Sequence, residues 1–234
     1  MSAIFKREFK AYFASPVGYV VLAAFLFFSG LFFYVQSLYA GTSDMSGTFG
    51  NMFFILLFLI PLLTMRLLSE ERRQKTDQAL LTAPVSLFSI VSGKFLSAFA
   101  VYGICVSVFI LQAIVISFAS TPDWSVIIGN ILGLLLLGTA LISIGLFISS
   151  LTESMVIAAV ASFAVNIVLL LIDMFKSMLS WEWAKNILEF INFNSKYTEM
   201  TLGVFSLFST VFFLSITALF LFLTVKTLEK RRWS

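Results

Sequence analysis

The densest run of chemistry-bearing side chains in this 234-residue chain lies between Arg66 and Lys94, RLLSEERRQKTDQALLTAPVSLFSIVSGK. There Glu70, Glu71, Arg72, Arg73, Lys75, Thr76, Asp77 and Gln78 follow one another with only Gln74 between them. Good helix formers carry both signs of charge, and Ala83-Pro84 stops the helix they favour. A short charged helix projecting between two apolar segments suits docking onto a soluble partner. The same run also fits a solvated loop whose charges serve only topology. Covalent or metal chemistry is not on offer. His is absent and Cys105 is the one cysteine, set in an apolar run. No intrachain disulfide, His/Cys metal cluster or Ser-His-Asp or Cys-His apparatus can therefore be built. No GxxxxGK[ST] loop is present to cradle nucleotide phosphates. The 28 Phe are not interleaved with Lys and Arg as a nucleic-acid stacking surface would require.

Polar residues inside apolar runs form the second group of candidates. Asn166 lies midway along one such run and is read equally as an interhelix hydrogen-bonding residue or part of a translocation route. Gln36 and Gln112 sit toward the outer halves of theirs and are candidates for the same interhelix or pathway roles. Asp173 and Lys176 are spaced for an i,i+3 ion pair. No chain of carboxylates within the runs suggests a proton- or sodium-coupled carrier. Gly129 and Gly133 form a GxxxG, which permits close helix approach, here more readily within the chain than between chains.

The elements that must position these residues follow from composition. Sixty per cent of residues are hydrophobic and 12% charged, with a mean hydropathy of +1.02. A soluble domain is about 45–50% apolar and about 25% charged. A spanning helix needs about 20 mostly apolar residues, and six segments meet that test: Val17 to Tyr39, Phe49 to Leu67, Phe95 to Phe118, Val126 to Ser149, Met155 to Met174 and Val204 to Leu228. The fold class is all-α, a polytopic membrane bundle forming one domain over 1–234. Ser15-Pro16 reads as a cap with proline at the first helical position, Pro61 should kink the second span, and Thr121-Pro122-Asp123 makes a turn. The first apolar run is too long for a signal-peptide core and is read as retained. Twelve of the 15 Lys and Arg fall on the side of the termini, leaving Lys176, Lys185 and Lys196 on the other. That bias places both termini in the cytoplasm.

Two further segments are neither span nor simple turn. Ile4 to Phe13 sets Phe5, Phe9, Tyr12 and Phe13 at helical spacing away from Lys6, Arg7 and Lys10, as in a helix lying in the headgroup layer. Between Phe175 and Gly203, Trp181, Ala184, Leu188 and Ile191 share one helical face while Glu182, Lys185 and Glu189 lie on others. One or two short helices at the outer surface are expected, with the aromatic residues at the interface.

Read together, IFKREFKAYFASPVGY, MRLLSEERRQKTDQALLTAPVSLFSIVSGKFLSA, GLFISSLTES and VKTLEKRRW resemble the ABC-2 permease family, and within it the gliding-motility-type branch found in bacteria. The resemblance covers nearly the whole chain. It implies an N-terminal elbow helix at 4–13, a coupling helix between the second and third spans, and short re-entrant helices at 180–200. It places Glu70, Glu71, Arg72, Arg73, Lys75, Thr76, Asp77 and Gln78 at or beside the coupling helix that contacts the ATPase, and makes Thr152, Glu153 and Ser154 a second cytoplasmic contact. It also implies two copies of an ABC ATPase that bind ATP and Mg, none of it on this chain. The second permease would be another copy or an auxiliary subunit bearing an extracytoplasmic domain. The expected function is that of a non-catalytic permease subunit in a bacterial cell membrane. It would couple ATP hydrolysis to export or membrane extraction of a hydrophobic or amphipathic substrate. A mechanotransmission complex acting on an outer partner is one alternative; an ion-coupled carrier or scaffold without an ATPase is the other.

Overall fold

The computed structural model describes residues 1–76, 85–118, 120–178, 181, 183, 188–189, 191–201 and 206–232, without the side chains of 173, 174, 177 and 178. Helix α1 (Ser2–Ala14) leads into α2 (Pro16–Phe33), which ends in a π-helical turn, Tyr34–Leu38. Then come α3 (Ser46–Thr64), α4 (Ser69–Arg73), α5 (Leu87–Val106), α6 (Val108–Ser117), α7 (Trp124–Leu151), α8 (Met155–Met178), α9 (Phe193–Thr201) and α10 (Leu207–Arg232). Among the described residues there is no strand. Six helical stretches are long and apolar enough to cross a membrane: Pro16–Leu38, Ser46–Arg73, Leu87–Ser117, Trp124–Leu151, Met155–Ile172 and Leu207–Arg232. Outward-facing Phe27, Val160 and Phe222 are exposed apolar side chains, which lipid but not water accommodates on this scale.

Helix α7 is the axis of the bundle and packs against α3, α5, α8, α9 and α10. Its closest approaches lie at Gly138 and Gly145, on one face about two turns apart. A Cβ at Gly138 would lie 2.0 Å from Cε1 of Tyr102, and one at Gly145 2.1 Å from Oγ1 of Thr64. Tyr102 uses that proximity to donate to the Leu134 carbonyl at 2.6 Å. The expected GxxxG is not this seam. Gly133 meets Met200 of α9, and nothing lies within 4 Å of a Cβ at Gly129.

Local signals fared differently. Asp123 caps α7, its Oδ1 accepting from the Ser125 hydroxyl at 2.7 Å and from the N–H groups of Ser125 and Val126 at 3.0 and 3.4 Å; those bonds, the hydroxyl's first, hold its carboxyl below the usual range. Pro16 does occupy the first turn of α2, but Ser15 does not cap it. Its hydroxyl instead donates to the Tyr12 carbonyl at 3.3 Å and accepts from Arg66. The third crossing starts at Leu87, well before Phe95, because Ser86 accepts from the Ser89 N–H and opens the helix there. At the far end from α1, α9 tucks against α3 and α7. Tyr197 donates to the Phe49 carbonyl at 2.8 Å and stacks on Phe53. Lys176 pairs with Glu189; the side chain of Asp173, the partner expected from the spacing, lies outside the described residues. Trp181 and Trp183 stack on each other and are exposed, while Leu188 is half-buried and Ile191 exposed. Ala184, Lys185 and Glu182 fall outside the described residues.

Candidate functional site

The charged run after α3 does not stand alone in solvent; it is clamped to three other elements. Its anchor is Lys94, which lies inside α5 with its side chain fully buried. Desolvating an ammonium costs several kcal/mol unless it is paired and hydrogen-bonded. Lys94 Nζ lies 3.2 Å from Glu8 Oε1 on α1 and 3.0 Å from Glu71 Oε2 on α4, and donates to the Leu67 carbonyl at 2.6 Å. The carbonyl takes a hydrogen bond from the ammonium, and the two carboxylates balance its charge as ion pairs. Arg7 closes the cluster from the surface, with Nη2 2.6 Å from Glu8 and 2.5 Å from Glu71. Desolvation alone would lower its pKa, but the hydrogen bond and charge of Glu8, then those of Glu71, outweigh it and raise the pKa. Two cations and two carboxylates are thus balanced across α1, α4 and α5. Close contact is needed to bring them together: a Cβ at Gly93 would sit 3.1 Å from Ile4 of α1.

A second knot lies beside the first. Arg66 pairs with Glu70 at 3.1 Å, donates to the Ala11 carbonyl at 3.3 Å and lies over the Tyr12 ring. Tyr12 is buried and donates to the Leu63 carbonyl at 2.8 Å. Burial raises its pKa well above the usual phenol value, so the hydroxyl remains a donor. Between the two knots runs a cleft of about 300 Å³ lined by Arg7, Glu8, Arg66, Glu70, Glu71 and Lys94 among others. A third tie joins α4 to the α7–α8 turn. Arg72 pairs with Glu153 at 3.0 Å and donates to the Ser150 carbonyl at 3.5 Å, and Arg231 of α10 donates to the same carbonyl. Cations are well placed at that helix C-terminus, where the backbone dipole is negative.

Helix α4 ends in a Schellman turn. Thr76 N–H bonds to the Glu71 carbonyl and Lys75 N–H to the Arg72 carbonyl, each at 3.0 Å. Lys75 takes the left-handed position, φ 56°, where glycine is usual. Beyond the clamps, Arg73, Gln74, Lys75 and Thr76 are exposed. The expected docking residues therefore divide. Glu70, Glu71 and Arg72 turn toward the helix bundle, Arg73, Lys75 and Thr76 turn outward, and Asp77 and Gln78 lie outside the described residues. Of the second expected contact, Glu153 is exposed and holds Arg72. Thr152 and Ser154 are half-buried: Thr152 Oγ1 accepts from Ser154 N–H, and Ser154 Oγ from Ile157 N–H.

The polar residues within the spans have separate settings. Asn166 is buried, and its Nδ2 donates to the Leu57 carbonyl of α3 at 2.8 Å. That carbonyl is four residues before Pro61, which has no N–H to offer it. The amide thus replaces the bond that proline removes and joins α8 to α3. Gln36 is half-buried, with Oε1 where a Cβ at Gly47 would fall. Gln112 is buried, and its Oε1 has no hydrogen-bond partner among the described residues. Asn166→Leu should cost on the order of 0.6–1.7 kcal/mol, the range for such bonds in membranes. In a Pro61→Ala background, where residue 61 regains its N–H, the same change should cost less. A double-mutant cycle on unfolding in detergent measures this; equal costs in both backgrounds would remove the pairing explanation.

Glu8 and Lys94 were not singled out by the sequence, although a lone lysine within the apolar stretch Val85–Val106 was the available signal. No curated protein matches the chain. The family described as ABC-2 type transporter matches residues 1–188. Those residues include α1, α4, the α7–α8 turn and the buried lysine that ties the first two together, and the chain belongs to the ABC-2 type transporter family.

Proposed function

We propose that this chain is the permease subunit through which a separate ABC ATPase drives export, or extraction from the inner leaflet, of a hydrophobic or amphipathic substrate. The supporting observation is the exposed turn Arg73–Thr76 set on a base that is ion-paired to α1, α5 and the α7–α8 turn. A push on that turn is passed to the ends of three membrane helices instead of being lost in a loose loop. Such a push changes access along the permease seam only if the ATPase binds two permease states with different affinity. In this reading α4 and the segment after it form the coupling element, with Glu153 and its neighbours beside it. The end carrying α1, α4 and Arg231 is cytoplasmic, in keeping with the placement of Lys and Arg. Membership of the gliding-motility-type branch would let an auxiliary subunit with an outer domain take the second permease position. The short 39–45 connection leaves any such domain to that subunit. A photoreactive amino acid at Thr76, which points outward, should capture the ATPase in native membranes in a nucleotide-dependent manner. The same probe at Ser69, which is buried, should not. No adduct from Thr76 would remove the docking assignment.

A further inference from the structure

Helix α1 presents three distinct strips. The inward strip is Ile4, Glu8 and Tyr12, committed to Gly93, Lys94 and the Leu63 carbonyl. Beside it runs an aromatic ladder. The rings of Phe5, Phe9 and Phe13 follow at centroid separations of 5.8 and 5.2 Å, and Tyr19 of α2 continues it at 5.8 Å. One residue further round the helix are Lys6 and Lys10, one turn apart and exposed. Arg7 is engaged by Glu8 and Glu71, whereas neither Lys6 nor Lys10 has an ion-pair partner among the described residues. Under the start of the ladder an apolar groove of about 640 Å³ opens between α1 and the membrane-crossing α5, lined by Met1, Ser2, Phe5, Leu96, Phe99 and Ala100.

We propose that this groove is a binding site for one acidic phospholipid, with an acyl chain against Phe5, Leu96 and Phe99 and the phosphate at Lys6 and Lys10. The groove is nearly free of polar surface, so its occupant there is a hydrocarbon chain. Lys6 and Lys10, exposed on the strip next to Phe5 and Phe9, supply charge complementarity to an anionic headgroup, and their stems can lie along apolar surface with the ammonium groups in water. The order of the strips, inward polar anchor, then aromatic, then cationic, is that of a helix at the boundary between acyl chains and headgroups. A zwitterionic lipid would fill the groove equally well but would leave the lysines without net counter-charge. Because Glu8 and Arg7 reach Glu71, the occupant of the groove would also bear on α4. That consequence rests on the docking reading; the lipid site itself does not.

The test is native mass spectrometry of the full-length chain released from detergent in the presence of equal phosphatidylglycerol and phosphatidylcholine. The wild type should retain phosphatidylglycerol about 30-fold better, as two lysines at an anionic headgroup imply. Lys6→Gln with Lys10→Gln, both at exposed positions that leave the fold alone, should bring the ratio near one. Ala100→Leu, which narrows the groove, should lower retention of both lipids. Glycerol phosphate without acyl chains should not displace the lipid; if it does, the headgroup alone is bound and the groove assignment fails. Equal retention of the two lipids by the wild type, or an unchanged preference in the double variant, overturns the proposal. Loss of lipid preference with normal ATPase capture would affect this site alone, and loss of capture with normal lipid preference would affect the docking reading alone.

Discussion

Lys94→Met should lower the unfolding midpoint by roughly 6–12 °C in detergent. That is the shift expected for a loss of about 3 kcal/mol in a chain of this size. The argument turns on what the substitution leaves behind. Lys94 has no exposed side-chain surface, and Glu8 and Glu71 are only 14% and 16% exposed. Without the ammonium, two carboxylates face each other with Arg7 alone to compensate, and the Leu67 carbonyl loses its donor. Removing one partner of a buried ionic group is costly for that reason, whereas replacing the whole group by neutral residues of similar shape is often tolerated. The triple variant Lys94→Met, Glu8→Gln, Glu71→Gln should therefore recover most of the lost stability. Fluorescence-detected size exclusion with a thermal ramp measures both. A single variant that melts like the wild type would show that the cluster is dispensable for the fold, and a triple variant no better than the single would place the lysine's role in packing instead of charge.

The six crossings could be read from the sequence because lipid imposes a coarse requirement: about 20 apolar residues without charge. Composition alone locates Trp124–Leu151 to within a few residues. What it does not carry is which polar side chain closes which backbone gap. Asn166 was visible as an oddity, and Pro61 as a second one, but their relation depends on α8 lying against α3, a contact between residues 109 positions apart. The run from Glu70 to Gln78 was legible as a patch of charge and not as a set of directions. Its residues divide between inward and outward only once Lys94, Glu153 and Ser150 are in place to receive them. Lys94 falls among the cations on the side of the termini because the third span, read from the sequence, opens only at Phe95. In the structure it lies about two turns inside α5, which starts early at Leu87, and α1 covers it. Gly138 and Gly145 outrank the motif at Gly129 for a similar reason. Spacing shows that two helices can approach closely, whereas the partner's side chains, Tyr102 and Thr64, decide where they do.

That division between inward and outward residues separates two kinds of charge reversal along the same short stretch. Arg73→Glu combined with Lys75→Glu alters exposed positions with no ion pair or side-chain hydrogen bond among the described residues, so the unfolding midpoint should stay near that of the wild type. Capture of the ATPase and permease-stimulated ATP turnover should both fall about tenfold or more, because reversed rim charges slow encounter and disfavour the docked complex. Arg72→Glu should act differently. It sets a carboxylate beside Glu153 and against the negative end of α7, where Arg72 now bonds to the Ser150 carbonyl. Stability and turnover should fall together, and Glu153→Arg in the same chain should restore part of each by re-forming the pair in the opposite sense. Lys75→Gly provides the control for geometry: it removes one charge while relieving the left-handed backbone strain of the turn, so it should raise stability slightly and weaken capture less than the double reversal. Wild-type turnover in a well-folded Arg73→Glu, Lys75→Glu variant would mean that the force enters the permease elsewhere, and the α7–α8 turn around Glu153 would be the next place to look.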